Sequence, residues 1–371
     1  MQDVDSRDMS PLRILGYDPG WAEAGAPWAA RGLHPGRVVR VDRGMWLVSG
    51  DFGTVQAMPA GRRLPADSPE EWPAVGDWVM VSDPANPETS RGSGWYVEAV
   101  LPRRSAVVRA DPGREGVTQV LAANVDVVYV VHSLLESPKP RRLEREVVTG
   151  WDSGAVPVVV FTKLDLCDDP SPHLAAAADG APGVPCHLVS GATGEGVDAV
   201  LDHLAGARTG VLIGPSGAGK STLINRLIGE QRLRTGEVRA GDGKGRHTTV
   251  ARELVSLRGG GSLIDTPGLR AFGLSGGEEG LAEAFADVEE LAALCRFRDC
   301  RHEDEPGCAV LAAVEDGCLA PERLQSYRAL RRELRFQALK EEGLLKREER
   351  RKWRVIHRAF RDYQKERGKR V

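Results

Sequence analysis

The stretch Gly-Pro-Ser-Gly-Ala-Gly-Lys-Ser-Thr, residues 214–222, constrains the fold of this chain more than any other feature. It follows the apolar run Val211-Leu212-Ile213 and precedes Leu-Ile-Asn-Arg-Leu, so the pattern predicts a strand, a glycine-rich turn and a helix. The spacing Gly-x-x-x-x-Gly-Lys-Ser is that of a P-loop. Its backbone N–H groups, from Gly214 through Ser216, Gly217, Ala218 and Gly219 to Thr222, can wrap the phosphates of a nucleotide. Lys220 reaches the outer phosphates and Ser221 is placed to hold a magnesium ion. Such a loop usually opens its domain, whereas this one begins past the middle of a 371-residue chain.

The residues before the loop therefore need an account. Residues 1–35 mix Gly, Pro, Ala and Asp with scattered tryptophans and show no sustained period, which predicts a poorly ordered leader. From Gly36 to about residue 112, short alternating Val- and Trp-rich runs are separated by Gly, Asp and Pro. That spacing predicts a small antiparallel barrel, with an RNA-binding OB-fold as the natural candidate. Residues 113–275 change texture again: Asn-Val-Asp-Val-Val-Tyr-Val-Val and Val-Pro-Val-Val-Val-Phe read as buried parallel strands, separated by an amphipathic helix. The P-loop is then internal to an α/β domain, and residues 276–371 are expected to form a helical C-terminal domain.

Further motifs fall at the ends of these strands. Thr162, Lys163 and Asp165 form Thr-Lys-x-Asp, which looks like the guanine-specificity motif of GTPases. A carboxylate there accepts from the ring N–H and exocyclic amine of guanine and finds no such donors on adenine. The usual first residue is Asn; Thr162 weakens one supporting hydrogen bond. Ser190-Gly191 occupies the position of the second base-contacting loop. After the P-loop, Asp265-Thr266-Pro267-Gly268 supplies Asp-x-x-Gly, whose aspartate holds magnesium through water and whose Gly268 N–H senses the γ-phosphate. The polar, glycine-rich segment between them carries His247, Thr248 and Thr249, and either threonine is the candidate magnesium contact. The set is complete but rotated, base motifs first, so the domain reads as a circularly permuted P-loop GTPase.

Cys295, Cys300, His302 and Cys308 form Cys-x4-Cys-x-His-x5-Cys within a short charged loop. Three thiolates and one imidazole make a closed tetrahedral set, suited to one structural zinc ion and with no open position for catalysis. Cys167, Cys186 and Cys318 lack such partners and read as plain thiols.

At 41% hydrophobic and 28% charged residues, with no apolar run of about 18, the chain reads as cytoplasmic and free of the membrane. The formal net charge of −3 hides a basic end, residues 346–371. Its arginines, interleaved with Trp353, His357 and Phe360, suit either a polyanion such as RNA or a helix with a solvated charged face.

With these motifs together, the chain resembles the ribosome small-subunit-dependent GTPases, the RsgA or YjeQ family, from Gly36 to about Ala320. The resemblance implies a multidomain architecture: an all-β OB-like barrel, an α/β permuted GTPase domain and an α-helical zinc-binding domain. It implies GTP hydrolysis to GDP with Mg²⁺, binding to the small ribosomal subunit and its rRNA, stimulation by that subunit, and a part in its late maturation. Leu269 stands where many GTPases carry a water-orienting glutamine, so intrinsic turnover is expected to be slow. The catalytic candidates are His247, which the resemblance favours, and Lys220. An RNA-binding assembly factor using nucleotide only as a structural ligand is the alternative, and a monomer is expected.

Overall fold

The computed structural model describes residues 10–42, 44–60, 72–89, 93–110, 118–230, 252–257, 259–265, 279–336 and 338–339. Five strands, β1 (His34–Asp42), β2 (Met45–Gly50), β3 (Gly53–Pro59), β4 (Trp78–Ser82) and β5 (Trp95–Val100), run in the order β1-β2-β3-β5-β4. β4 pairs back onto β1, which closes the ribbon into a barrel, and β3 and β5 are its parallel pair. Alternation along the strands turns Val38, Trp46, Val48, Val79, Val81 and Val97 into the interior. This is the expected OB-like barrel.

The segment ahead of it departs from the expectation of a poorly ordered leader. Pro11–Ile14 (α1) and Pro19–Ala29 (α2) are helices, and Leu12, Leu15 and Trp21 are buried. The signals are local: Asp18 caps α2 by accepting from the Trp21 N–H at 3.0 Å, and Pro19 sits in its first turn. Two such short helices bury only single residues at a time, so no sustained period shows in the sequence. Arg104 then binds Asp18 through two bonds of 2.5 and 2.7 Å and lies 4.1 Å from the centre of the Trp21 ring.

A hairpin of β6 (Ala106–Ala110) and β7 (Thr118–Ala123) follows. A domain boundary between 112 and 113 would separate two strands that pair from Ala106↔Ala123 to Ala110↔Thr118, so the hairpin is one unit that straddles the expected division.

The α/β region comprises β8 (Val127–Ser133), α3 (Pro140–Asp152), β9 (Val156–Thr162), α4 (Ser171–Gly180), β10 (Cys186–Leu188), α5 (Val197–Asp202), β11 (Thr209–Ile213), α6 (Lys220–Ile228), β12 (Glu253–Ser256) and β13 (Ser262–Asp265). Its strands lie in the order β10-β9-β8-β11-β13-β12, all parallel except β12. Both faces are covered, which is why the strands read as continuous Val-rich runs. Val128, Val130, Val159 and Phe161 face one core, and Tyr129, Val131, Val158 and Val160 the other.

Two contacts bind the regions together. Arg40 of β1 pairs with Glu253 of β12, joining the barrel and the parallel sheet edge to edge. Arg37, 2% exposed, donates to the carbonyls of Leu15, Gly76 (3.1 Å) and Asn124 (3.1 Å), one each from the N-terminal segment, the barrel and the hairpin. Beyond the sheet come α7 (Glu279–Ala284), α8 (Ala286–Ala292), α9 (Ala309–Glu315) and a helix over 321–336. Buried Arg323 in that last helix binds Asp287 and the Ala284 carbonyl and stacks 3.9 Å from the Phe285 ring centre. The division expected between 275 and 276 lies outside the described residues. Among the described residues, no helix is long and apolar enough to cross a membrane.

Candidate nucleotide site and metal centre

In an open parallel sheet, ligands bind beyond the carboxyl ends of the strands, where the connections diverge. β9, β10, β11 and β13 end there in Thr162, Leu188, Ile213 and Asp265, so Thr-Lys-x-Asp, Ser190-Gly191, the P-loop and Asp265 converge on one end of the sheet.

The P-loop takes the backbone its glycines allow. Gly214 has φ +136°, and a Cβ there would come 2.1 Å from the Val131 carbonyl oxygen; Gly219, at φ +84°, precedes α6. Lys220 Nζ donates to the carbonyls of Gly214 and Pro215, both at 2.7 Å, folded over the loop it belongs to. Ser216, Gly217 and Ser221 are exposed along this loop, while Ala218 is buried beneath it and Thr222 is half-buried.

The base motif is tied directly to the P-loop. Thr162 Oγ1, buried, donates to the Ala218 carbonyl at 2.5 Å and lies 3.2 Å from the His132 carbonyl oxygen. Threonine thus makes a link between loops 56 residues apart, where the sequence suggested only a weakened bond. Lys163 turns the chain out of β9 with φ +66°, a left-handed conformation uncommon for a lysine. Asp165, exposed, accepts from Ser190 Oγ at 2.6 Å, and Ser190 Oγ accepts in turn from the Thr193 N–H at 3.0 Å. Gly191 packs against α6, where an added Cβ would lie 3.2 Å from both Leu223 N and Thr222 Cγ2.

Two residues at this end escaped the sequence reading. Arg226, on α6, donates to the Gly191 carbonyl at 3.1 Å and to the Ala192 carbonyl. Glu253 lies directly across from Asp265 in the β12–β13 pair. Neither belongs to a motif, and only the paired register and the helix packing reveal them. Burial, with Glu253 beside it, holds the Asp265 carboxyl above the usual carboxylate range. That arrangement favours a cation at Asp265. His247, Thr248, Thr249, Gly268 and Leu269 lie outside the described residues, as does the basic end of the chain.

A cleft of about 1480 Å³ opens at the opposite end of the parallel strands, lined among others by Tyr17, Arg37, Trp78, Asp126 and His203. None of the motif residues borders it, so it is distinct from the site assembled here.

The Cys-His loop is gathered as its spacing suggested. The ligand atoms of Cys295, Cys300, His302 and Cys308 all lie within 4.8 Å of one another. Cys295 Sγ is 3.8 Å from Cys308 Sγ, and His302 Nδ1 is 3.7 and 3.5 Å from those two sulfurs. A tetrahedron with Zn–S of about 2.3 Å and Zn–N of about 2.0–2.1 Å has S···S edges near 3.8 Å and S···N edges near 3.5 Å, so the donor set fits such an ion. His302 reaches this position with φ +61°, and Cys308 caps α9 by accepting from the Leu311 N–H at 3.5 Å.

A protein-family model described as RsgA GTPase matches residues 100–275. The small ribosomal subunit biogenesis GTPase RsgA of Streptomyces coelicolor is 48% identical over 327 residues, 87% of each chain. The chain belongs to the RsgA GTPase family. The RsgA protein of Syntrophotalea carbinolica is 39% identical across 96% of this chain and 99% of its own. Among solved structures, YjeQ from Thermotoga maritima is similar with a TM-score of 0.59 and 26% identity, over 81% of this chain and 98% of that one. YloQ, described as a circularly permuted GTPase, is similar at TM-score 0.59 and 25% identity, over 82% and 96%. Membership and fold make the chain a GTP-hydrolysing enzyme of permuted order, with a Cys3His group able to hold a metal ion.

Proposed function

We propose that this chain, as a cytoplasmic monomer, binds the small ribosomal subunit and its rRNA late in maturation and hydrolyses GTP to GDP and phosphate there, stimulated by the subunit. The observation that carries the reading is the Thr162–Ala218 bond, which supports a single pocket in which one end recognises a base and the other holds phosphates. In this reading Asp165, held by Ser190, accepts from the guanine edge, Lys163 lies against the base, and Gly191 allows its loop to approach. The backbone from Gly214 to Thr222 cradles the phosphates, and Lys220 exchanges its loop carbonyls for phosphate oxygens. Ser221 and Asp265, with Thr248 or Thr249, are the residues that would hold Mg²⁺, which when bound neutralises phosphate charge. Gly268 would report the γ-phosphate and His247 would orient the attacking water. Zinc in the Cys3His group would serve as a structural brace for α9. The OB-like barrel supplies a surface of the kind that takes RNA, and the names of the relatives point to the small subunit as the partner.

The test is co-sedimentation with purified small ribosomal subunits in sucrose gradients, with a non-hydrolysable GTP analogue against GDP. The proposal expects association in the analogue-bound state and release with GDP. Association that is absent, or indifferent to nucleotide, would remove the ribosome-coupled switch.

A further inference from the structure

We propose that Arg226, on the helix that follows the P-loop, is a positioning residue that sets the base specificity of the site by fixing the orientation of Asp165. The inference rests on the guanine reading of Asp165 given above.

A continuous set of hydrogen bonds links Arg226 to Asp165. Arg226 Nε donates to the Gly191 carbonyl at 3.1 Å and its Nη2 donates to the Ala192 carbonyl, so a planar guanidinium grips two successive peptide groups. Gly194, at φ +94°, packs beside the guanidinium, where a Cβ would sit in ordinary contact 3.6 Å from its central carbon. The peptide plane that carries the Ala192 carbonyl also carries the Thr193 N–H, because the peptide bond is rigid and trans. Fixing that carbonyl therefore aims the Thr193 N–H, which donates to Ser190 Oγ at 3.0 Å. With that lone pair occupied, the Ser190 hydroxyl directs its proton to Asp165 Oδ1 at 2.6 Å. Orientation thus passes from α6 through two peptide planes and one hydroxyl to the carboxylate that meets the base.

The same helix begins at Lys220 and packs against the base loop at Gly191. Asp165 is itself exposed, so its carboxylate meets a ligand in one orientation only if the group is held in register. Arg226 supplies that register from the phosphate side of the site. A lysine in its place would carry its donors on a single nitrogen and lose the planar fork that meets the two carbonyls from separate nitrogens.

Discrimination depends on the second hydrogen bond that Asp165 makes, to the exocyclic amine, which hypoxanthine lacks. The experiment is equilibrium binding of a fluorescent GDP analogue to the full chain, with competition by GDP, IDP and ADP, for wild type, Arg226→Ala, Arg226→Lys and Asp165→Asn. In Arg226→Ala the GDP affinity is expected to fall about three- to tenfold while IDP falls less, so that the GDP/IDP ratio narrows. Arg226→Lys should lie between the alanine variant and wild type. Turnover should show a raised KM for GTP with kcat little changed. Wild-type ratios in both Arg226 variants, or equal losses for GDP and IDP, would overturn the assignment and leave Arg226 a merely structural contact. The Asp165→Asn variant separates that failure from a deeper one. If wild type prefers GDP and Asp165→Asn loses the preference while Arg226→Ala does not, only the role of Arg226 falls; if wild type shows no preference, the guanine reading falls and this inference with it.

Discussion

Thr162 illustrates how much one hydroxyl can do at this site. Its bond to the Ala218 carbonyl joins the base motif to the P-loop, and both groups are buried. Thr162→Val keeps the shape and leaves that carbonyl without its donor, a loss of about 1–3 kcal/mol. Nucleotide affinity measured by fluorescence titration is therefore expected to weaken at least about fivefold in Thr162→Val and to be largely kept in Thr162→Ser. Unchanged affinity in the valine variant would show that the tether is incidental. Asp265 gives a pH dependence of definite sign. Its folded-state pKa is raised, by burial first and then by Glu253 across the strand pair, so the neutral form is favoured relative to a free carboxyl. Protons and Mg²⁺ then compete for the same oxygen atoms. At subsaturating Mg²⁺, kcat/KM should fall as the pH is lowered, with its inflection above that of an ordinary carboxylate, and the inflection should move to lower pH when Mg²⁺ is increased. A profile indifferent to Mg²⁺ would speak against Asp265 as a metal-holding group. At this scale the sequence was legible wherever a residue answers a local backbone demand, as Gly214 and Gly219 do. It was silent on Arg226, whose partners lie 34 and 35 residues away and which no spacing rule singles out.

Among the elements, the Val-rich strands and the strand–turn–helix of the P-loop could be read directly, because a parallel strand covered on both faces leaves its composition as evidence. The barrel was legible for a related reason: alternation along β2 puts Trp46 and Val48 inside. The helices α1 and α2 were missed, since an N-cap and a proline carry the only signal and the packing of Trp21 near Trp78, with ring centres 6.1 Å apart, is a tertiary fact. The expected break at 112 failed because hairpin pairing between β6 and β7 outweighs the change in composition there. The Cys3His loop was legible from spacing, and on the proposed reading a metal held there would brace the C-terminal helices. Cys308 caps the start of α9, and Tyr327 of the 321–336 helix packs its ring 6.2 Å from that of His302. Metal analysis should find one zinc per chain, and Cys300→Ser or prolonged chelation should abolish it. Thermal melting should then show an early transition that zinc, and not magnesium, reverses. A chelated protein that melts like the untreated one would remove the structural role.

On the scale of the whole molecule, the barrel and the nucleotide-bearing sheet are held as one body. β12 lies between β1 of the barrel and β13, whose last residue is Asp265, and only Val250, Ala251 and Arg252 separate its start from Thr249 in sequence. Arg37 holds the other side of the junction through three carbonyls, and burial lowers its pKa to about 10, far enough above neutrality that it stays charged. Arg37→Met leaves those carbonyls unpaired and should cost about 2–4 kcal/mol by denaturant unfolding, with little change in nucleotide affinity because the residue is at the opposite end of the sheet. A loss below about 0.5 kcal/mol would show that the junction does not depend on it. Whatever docks on the barrel is thus connected through paired strands to the groups proposed to hold Mg²⁺, which gives a docked subunit a physical route to the active site. The central claim is that turnover depends on that docking. It is tested most directly by steady-state phosphate release from GTP with Mg²⁺, with and without purified small ribosomal subunits, using Lys220→Ala as the blank. Slow basal release that rises strongly with small subunits and not with large ones is expected; equal rates in all three conditions would show that turnover is independent of docking.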